Sequence, residues 1–325
     1  MNSFYGQILK CRLHATLLLA VALVTSAFAT QSWAQGPSPE SAPTQFPGGA
    51  YLSYNSVFQS RHIVSGAFAD PSSPTARPTF EHAGIFRFAW SPRTNWEVMA
   101  QIPVVTTNLN SASVNAGGTG LGDIALLLKY RFLRRDSPRG TTQISITAGP
   151  KLPTGRTDLR SASGELLPVP LQPGTGSADL YLEMDGTYTG LLNLKRLVAD
   201  ESVSYTVRTA GSQNFRLGSE FNSRFWLSYR PYQTKLVDKE WFIGPSLDYR
   251  HYARDELAGA SQPDSGGYVL SPGVTTYFSP MPGIHLWFAF EMPIAQNRSG
   301  APTSFSRQFS IGITKQFLLG RLGRK

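Results

Sequence analysis

Cysteine is almost missing from this chain: of 325 residues the single one, Cys11, lies in a segment that reads as a removable leader. A mature protein without it forms no disulfide and holds no cysteine-ligated metal. Also missing after residue 34 is any apolar run near the roughly 20 residues that a spanning helix needs. Charged residues make up only 16% of the chain, and the formal excess of +9 is scattered rather than clustered. That distribution argues against a nucleic-acid surface and leaves lipopolysaccharide phosphates or an anion-favouring interior as beneficiaries. No metal or cofactor is expected.

At the N-terminus, Lys10 and Arg12 precede the apolar run Leu17 to Val24, and small residues follow at Ala27, Ala29 and Ala34. This order is that of a secretory signal peptide, with cleavage after Ala29 or, preferably, after Ala34. Residues 35–49, rich in Pro, Ser and Gly, have no period and are expected to form a flexible periplasmic leader.

What the chain has in quantity is aromatic residues, 19 Phe, 13 Tyr and 6 Trp, and alternation. In Gly122 to Phe132, Ile124, Leu126, Leu128, Tyr130 and Phe132 share one parity, while Asp123, Lys129 and Arg131 fall on the other. Helical spacing would scatter those charges among the apolar residues, so a strand is the better fit. The same test succeeds at Phe86 to Trp90, Trp96 to Ile102, Ile144 to Thr147, Asp179 to Asp185, Val203 to Arg208, Phe215 to Arg230, Trp241 to Arg250, Leu270 to Phe278, Ile284 to Phe290 and Phe309 to Phe317. With Tyr51 to Phe58 as the first, about twelve strands result, an even number as single-chain bacterial barrels require. Mean hydropathy stays at −0.18 because such strands show lipid only every second residue. A soluble sandwich also alternates, but it does not place charges on the second face of nearly every strand. The expected fold is therefore all-β: a transmembrane antiparallel up-and-down barrel over residues 50–317, followed by a basic tail over 318–325.

Connections supply an independent check, since these barrels have short periplasmic turns and longer outer loops. Arg61 to Thr79, Thr106 to Thr119, Lys151 to Gly176, Ala253 to Gly266 and Ala295 to Ser304 are long, whereas Ser91 to Asn95, Leu133 to Gly140 and Ser279 to Gly283 are short. Thr187 to Ser202 breaks the rule, being long where a turn should be short, so the strand count there is open by two. Lys151 to Gly176 is the longest connection. Pro153, Pro168, Pro170 and Pro173 stiffen it, and Leu159, Leu166, Leu167, Val169 and Leu171 give it more apolar surface than a solvated loop carries, so it is expected to fold over or into the mouth.

The inward parity collects Asp123, Lys129, Arg131, Asp179, Glu183, Asp185, Arg216, Glu220, Arg224, Asp248 and Arg250 as lumen-lining candidates. They either order permeating solutes along a wet path or pair with one another to fill the interior. The glycines at 117, 118, 120 and 122 superficially suggest a phosphate-cradling loop, but a strand rather than a helix follows them. A lipid-modifying enzyme would use a histidine base. His62, His82, His251 and His285 carry no nucleophile signature beside them, so no catalytic residue is assigned.

Gly120-Leu121-Gly122-Asp123-Ile124-Ala125-Leu126-Leu127-Leu128-Lys129-Tyr130-Arg131-Phe132, then Ala148 to Gly155 with Gly149, Pro153 and Gly155, then Leu171 to Asp179 with Gly174 and Gly176, resemble three successive blocks of a known family. It is the outer-membrane β-barrel proteins grouped under the meta-pathway of phenol degradation. The resemblance covers residues 84–190 and implies a barrel in the outer membrane of a Gram-negative bacterium. Its implied work is diffusion of small solutes, aromatic or apolar ones among them, with an anchor barrel or a lipid-modifying enzyme as alternatives. The implied partners are outer-membrane lipid and lipopolysaccharide, the small-molecule solute and the barrel-assembly machinery.

Overall fold

The computed structural model describes residues 42–64, 70–110, 115–231, 240–297 and 303–319. The segments expected to form the signal peptide and the end of the basic tail lie outside the described residues. Twelve strands wind up and down in sequence order: β1 (Gly49–Ile63), β2 (Phe80–Arg93), β3 (Trp96–Asn110), β4 (Ala125–Ser137), β5 (Gly140–Lys151), β6 (Asp179–Thr189), β7 (Leu197–Val207), β8 (Glu220–Tyr229), β9 (Glu240–Tyr252), β10 (Gly267–Met281), β11 (Ile284–Glu291) and β12 (Thr303–Leu318). Each pairs antiparallel with its neighbours, and β12 returns to β1 in a register running from Gly49 opposite Leu318 to Ile63 opposite Thr303. Closure matters physically, because in hydrocarbon every backbone N–H and C=O needs a partner and an open sheet edge leaves a row of them unsatisfied.

Alternation decides which face meets lipid. Phe86, Leu126, Ile146, Leu180, Val274 and Ile311 point outward and are 45–49% exposed, a continuous apolar surface that only a membrane solvates. Trp96 stacked on Tyr130 at 4.4 Å belongs with Tyr188 and Tyr229 to an aromatic girdle near the end where β1 begins and β12 finishes. In bacterial barrels that end faces the periplasm.

The strand readings differ from expectation in three places. Between Thr187 and Ser202 there is no long connection: β6 runs to Thr189, β7 begins at Leu197, and a short turn joins them. Asp200 and Glu201 disguise this strand, Asp200 by pointing inward and Glu201 by breaking the apolar outer face. Thr106 to Thr119 is also not a plain loop, since Asn115–Leu121 folds back on the extended β3 as a hairpin. Third, the strand expected from Phe215 to Arg230 is divided, with Phe215–Arg216 pairing instead to Glu256–Leu257 in a small three-stranded sheet outside the barrel wall.

Candidate functional site

The lumen is organised from the outer mouth inward by the long loop between β5 and β6. Leu159, Leu167 and Leu171 are buried with Ala76, Leu109 and Ala116 in one apolar cluster, and Val169 is buried beside them. Leu166 differs from expectation and stays 42% exposed. Gln172 is buried and crosslinks the loop, its amide nitrogen donating to the carbonyls of Leu159 (3.0 Å) and Leu167 (2.8 Å). Thr107 of β3 donates to the Leu171 carbonyl at 2.6 Å. The loop thus folds into the mouth and closes around its own leucines.

Asp123 fastens both ends of this loop. Parity placed it on the lumen wall, but residues 122–124 break the strand, so the carboxylate turns to the loop instead. One oxygen accepts from the Gly155 amide (2.9 Å), and the other accepts from the Thr175 amide (2.9 Å), the Thr175 hydroxyl (2.6 Å) and the Lys151 ammonium (2.5 Å). Lys151 also bridges to Asp179 at 3.1 Å. The family-like glycines follow from the same geometry: a Cβ on Gly174 would lie 2.5 Å from the Gly155 backbone, so the two loop ends touch only as glycines. Asp123→Ala leaves these donors without their acceptor and is expected to release the loop. Limited proteolysis within 155–175 should quicken at least tenfold, while the unboiled barrel resists detergent as before.

Beneath the loop lies a cavity of about 80 Å³. Its charged lining is balanced, Arg61, Arg77 and Arg250 against Glu81, Glu220 and Asp255, and Pro78, Pro170, Val57 and Leu217 supply apolar surface. Arg77 pairs with Asp255 at 2.5 Å and Arg61 lies 3.5 Å from Glu81, with its guanidinium 4.5 Å over the Phe305 ring.

Below it, the sequence-assigned charges of the wall are held by one another or by neutral polar groups. Asp248 accepts from Arg224 (2.5 Å) and Arg250 (2.7 Å), and Arg250 also reaches Glu291 at 3.3 Å. Lys129 bridges to Asp185 at 3.2 Å, and Arg131 donates to Gln143, the Thr94 carbonyl and Asn95. Glu183 accepts from Tyr181, and Asp179 and Glu220 are buried on the same inner face. Arg216 is the exception: it sits in the outer three-stranded sheet, paired with Glu256, because the chain leaves the barrel wall before β8 begins. Sequence reasoning missed Arg61, Glu81, Glu97, Lys151, Asp200 and Glu291, which the same parity test would have found on longer strands. Lys129→Ala leaves Asp185 buried without its cation and is expected to cost about 3–5 kcal/mol. Guanidine titration of the refolded barrel checks this, and pairing Lys129→Met with Asp185→Leu should recover most of the loss.

Aromatic side chains also point inward, contrary to a simple apolar-out pattern. Trp226, Tyr277 and Trp287 are buried on one wall with half-buried Phe242 packed against them, and Tyr51, Met99, Leu127 and Tyr181 form a second cluster. At the periplasmic mouth the leader is not free at its end. The Gln45 backbone N–H donates to Glu97 (3.2 Å), the Thr44 hydroxyl donates to the Thr94 carbonyl (2.5 Å), and the Ala42 backbone N–H donates to the Thr187 hydroxyl on β6 (3.3 Å). Residues 42–48 therefore cross the opening from β1 past β3 to β6, held by carboxylate and hydroxyl acceptors that the wall supplies.

Fold and lumen together define an outer-membrane β-barrel whose interior is filled by its own chain. A family profile described as "Putative MetA-pathway of phenol degradation" matches residues 81–301, and the chain belongs to that family. Among solved structures it is similar to a COG4313 outer membrane channel from Pseudomonas putida F1, at 13% identity and a TM-score of 0.60 over 87% of this chain and 100% of that one. LpxR from Salmonella typhimurium (8% identity, TM-score 0.44, 81% and 99% covered) and the CymD monoaromatic hydrocarbon channel (11%, 0.36, 84% and 90%) also match. No functionally curated protein matches the sequence.

Proposed function

We propose that this protein is an outer-membrane diffusion channel for small neutral solutes, monocyclic aromatics among them, closed at rest by its own loop outside and its own N-terminal segment inside. The observation that carries this reading is the chamber beneath a clipped loop. A barrel serving only as an anchor needs neither a latch built on four donors to Asp123 nor a cavity behind it. Equal numbers of cations and anions around the cavity give no field that favours either sign of ion, and apolar walls with aromatic clusters below suit a ring better than a sugar. The family's description, with its phenol-degradation pathway, supports aromatic compounds as the cargo. The reading implies export through a signal peptide, insertion by the barrel-assembly machinery, and lipopolysaccharide around the outer half of the wall.

An enzyme is less well supported. Two serine–histidine contacts exist among the described residues, Ser56 with His82 and Ser279 with His285, each at 2.7 Å. The first lies on the lipid-facing wall, the second shares the imidazole Nδ1 with Tyr277, and among the described residues no carboxylate hydrogen-bonds to either ring. His62 and His251 are exposed near the outer rim. A filled anchor barrel is favoured by one fact, the tight burial of Trp226, Tyr277 and Trp287 at 3–5% exposure. Electrophysiology in planar bilayers separates the readings: rare, small openings are expected for the resting protein, with no preference for cations over anions. A strong ion selectivity would count against the balanced chamber as the path.

A further inference from the structure

Two neighbouring periplasmic turns leave an apolar and cationic ledge that the channel reading does not use. The β4–β5 hairpin projects below the girdle with Leu133, Arg134, Arg135 and Arg139 exposed, and the β6–β7 turn beside it exposes Leu192, Leu194, Lys195 and Arg196. The turns are locked together. A Cβ on Gly140 would strike the Thr189 carbonyl, one on Gly190 would strike the Arg139 carbonyl, and Thr141 donates its amide to Thr189 Oγ1 at 2.9 Å.

Leu192 is 74% exposed and sits at φ +55°, a left-handed conformation that is unfavourable for a leucine. Leu194 is 55% exposed. Leucines facing bulk water in a turn of this kind gain nothing, whereas leucines at the membrane interface bury against acyl chains. The height is fixed by Arg196, whose guanidinium donates to the hydroxyl of Tyr229 (3.3 Å), an outward residue of the girdle. The ledge therefore lies at the headgroup level of the inner leaflet. Of its five cations only Arg134 is matched by an acid, Asp136 at 3.0 Å, while the side chains of Arg135, Arg139 and Lys195 have no ion pair or side-chain hydrogen bond among the described residues.

We propose that this ledge is a binding site for anionic phospholipid of the inner leaflet, with Arg135, Arg139 and Lys195 on the phosphates and Leu192 and Leu194 among the acyl chains. Apolar residues beside the cations select lipid over a soluble anion or an anionic polymer. Each cation near a charged membrane surface contributes roughly fivefold to partition, so the three together supply a preference on the order of a hundredfold.

Native mass spectrometry of the full-length barrel, given equal phosphatidylglycerol and phosphatidylethanolamine, tests the site. The parent should retain phosphatidylglycerol at least tenfold over phosphatidylethanolamine, and R135Q/R139Q/K195Q should retain the two equally while still migrating as a folded barrel unboiled. L192S/L194S should keep the headgroup preference and lose several-fold in total bound lipid. Should the triple variant fail to assemble, the parent in about 1 M salt must lose its preference instead, because screening acts on the same charges. Equal retention by the parent, a preference that survives both the substitutions and the salt, stabilisation by inorganic phosphate equal to that by phosphatidylglycerol, or cosedimentation with purified peptidoglycan that displaces the lipid would each overturn the proposal.

Discussion

Replacing Arg160 to Val169 by a short Gly-Ser linker is expected to raise single-channel conductance several-fold without preventing assembly. The segment removed carries Leu167 and Val169, which close the mouth together with Leu159 and Leu171, while the clip of Asp123 to Gly155 and Thr175 remains in place. None of the excised residues belongs to the barrel wall, whose strands β5 and β6 end at Lys151 and begin again at Asp179. Loops outside a closed sheet tolerate shortening because the wall's hydrogen bonds do not depend on them. If the shortened barrel folds and its conductance equals the parent's, this loop does not limit access.

The second large effect is expected when the other end is opened as well. A chain whose exported form begins at Gly48 lacks residues 42–47, which cross the periplasmic mouth, and leaves Glu97, Thr187 and the Thr94 carbonyl facing open solvent. Resistances in series add, so relief at one end leaves the other to set the current. The shortened loop alone is therefore expected to give the several-fold rise and removal of the N-terminal segment alone less than twofold, while the two combined give more than tenfold, beyond the product of the singles. Planar-bilayer recording of all four proteins measures this directly. A double variant that conducts no better than the loop variant alone would show that the N-terminal segment is not a barrier.

Why the sequence revealed some of this and hid the rest follows from the residues concerned. Period two survives wherever one face is apolar, as in Leu126, Leu128 and Tyr130 against Lys129 and Arg131, and it exposed twelve strands and most of the lumen. It fails where a strand breaks, and residues 122–124 and 217–219 are such breaks. Asp123 and Arg216 beside them kept the inward parity but not the inward position. Inward aromatics such as Trp226 and Trp287 were hidden for another reason: on a strand whose outer face is also apolar they leave no contrast between the faces. The loop announced itself through its buried leucines. The N-terminal segment could not, because its contacts are made largely by backbone amides, which every sequence has.

On the proposed function, the barrel carries small neutral aromatics across the outer membrane. The initial rate of uptake of a radiolabelled monohydroxylated benzene by porin-deficient Gram-negative cells measures it most directly, since their lipopolysaccharide leaflet slows such solutes. Cells assembling this protein are expected to take up the label several-fold faster than cells without it, and faster again with the loop shortened. Equal rates in all three, with heat-modifiable barrel present in the outer membrane, would show that the protein does not carry these solutes.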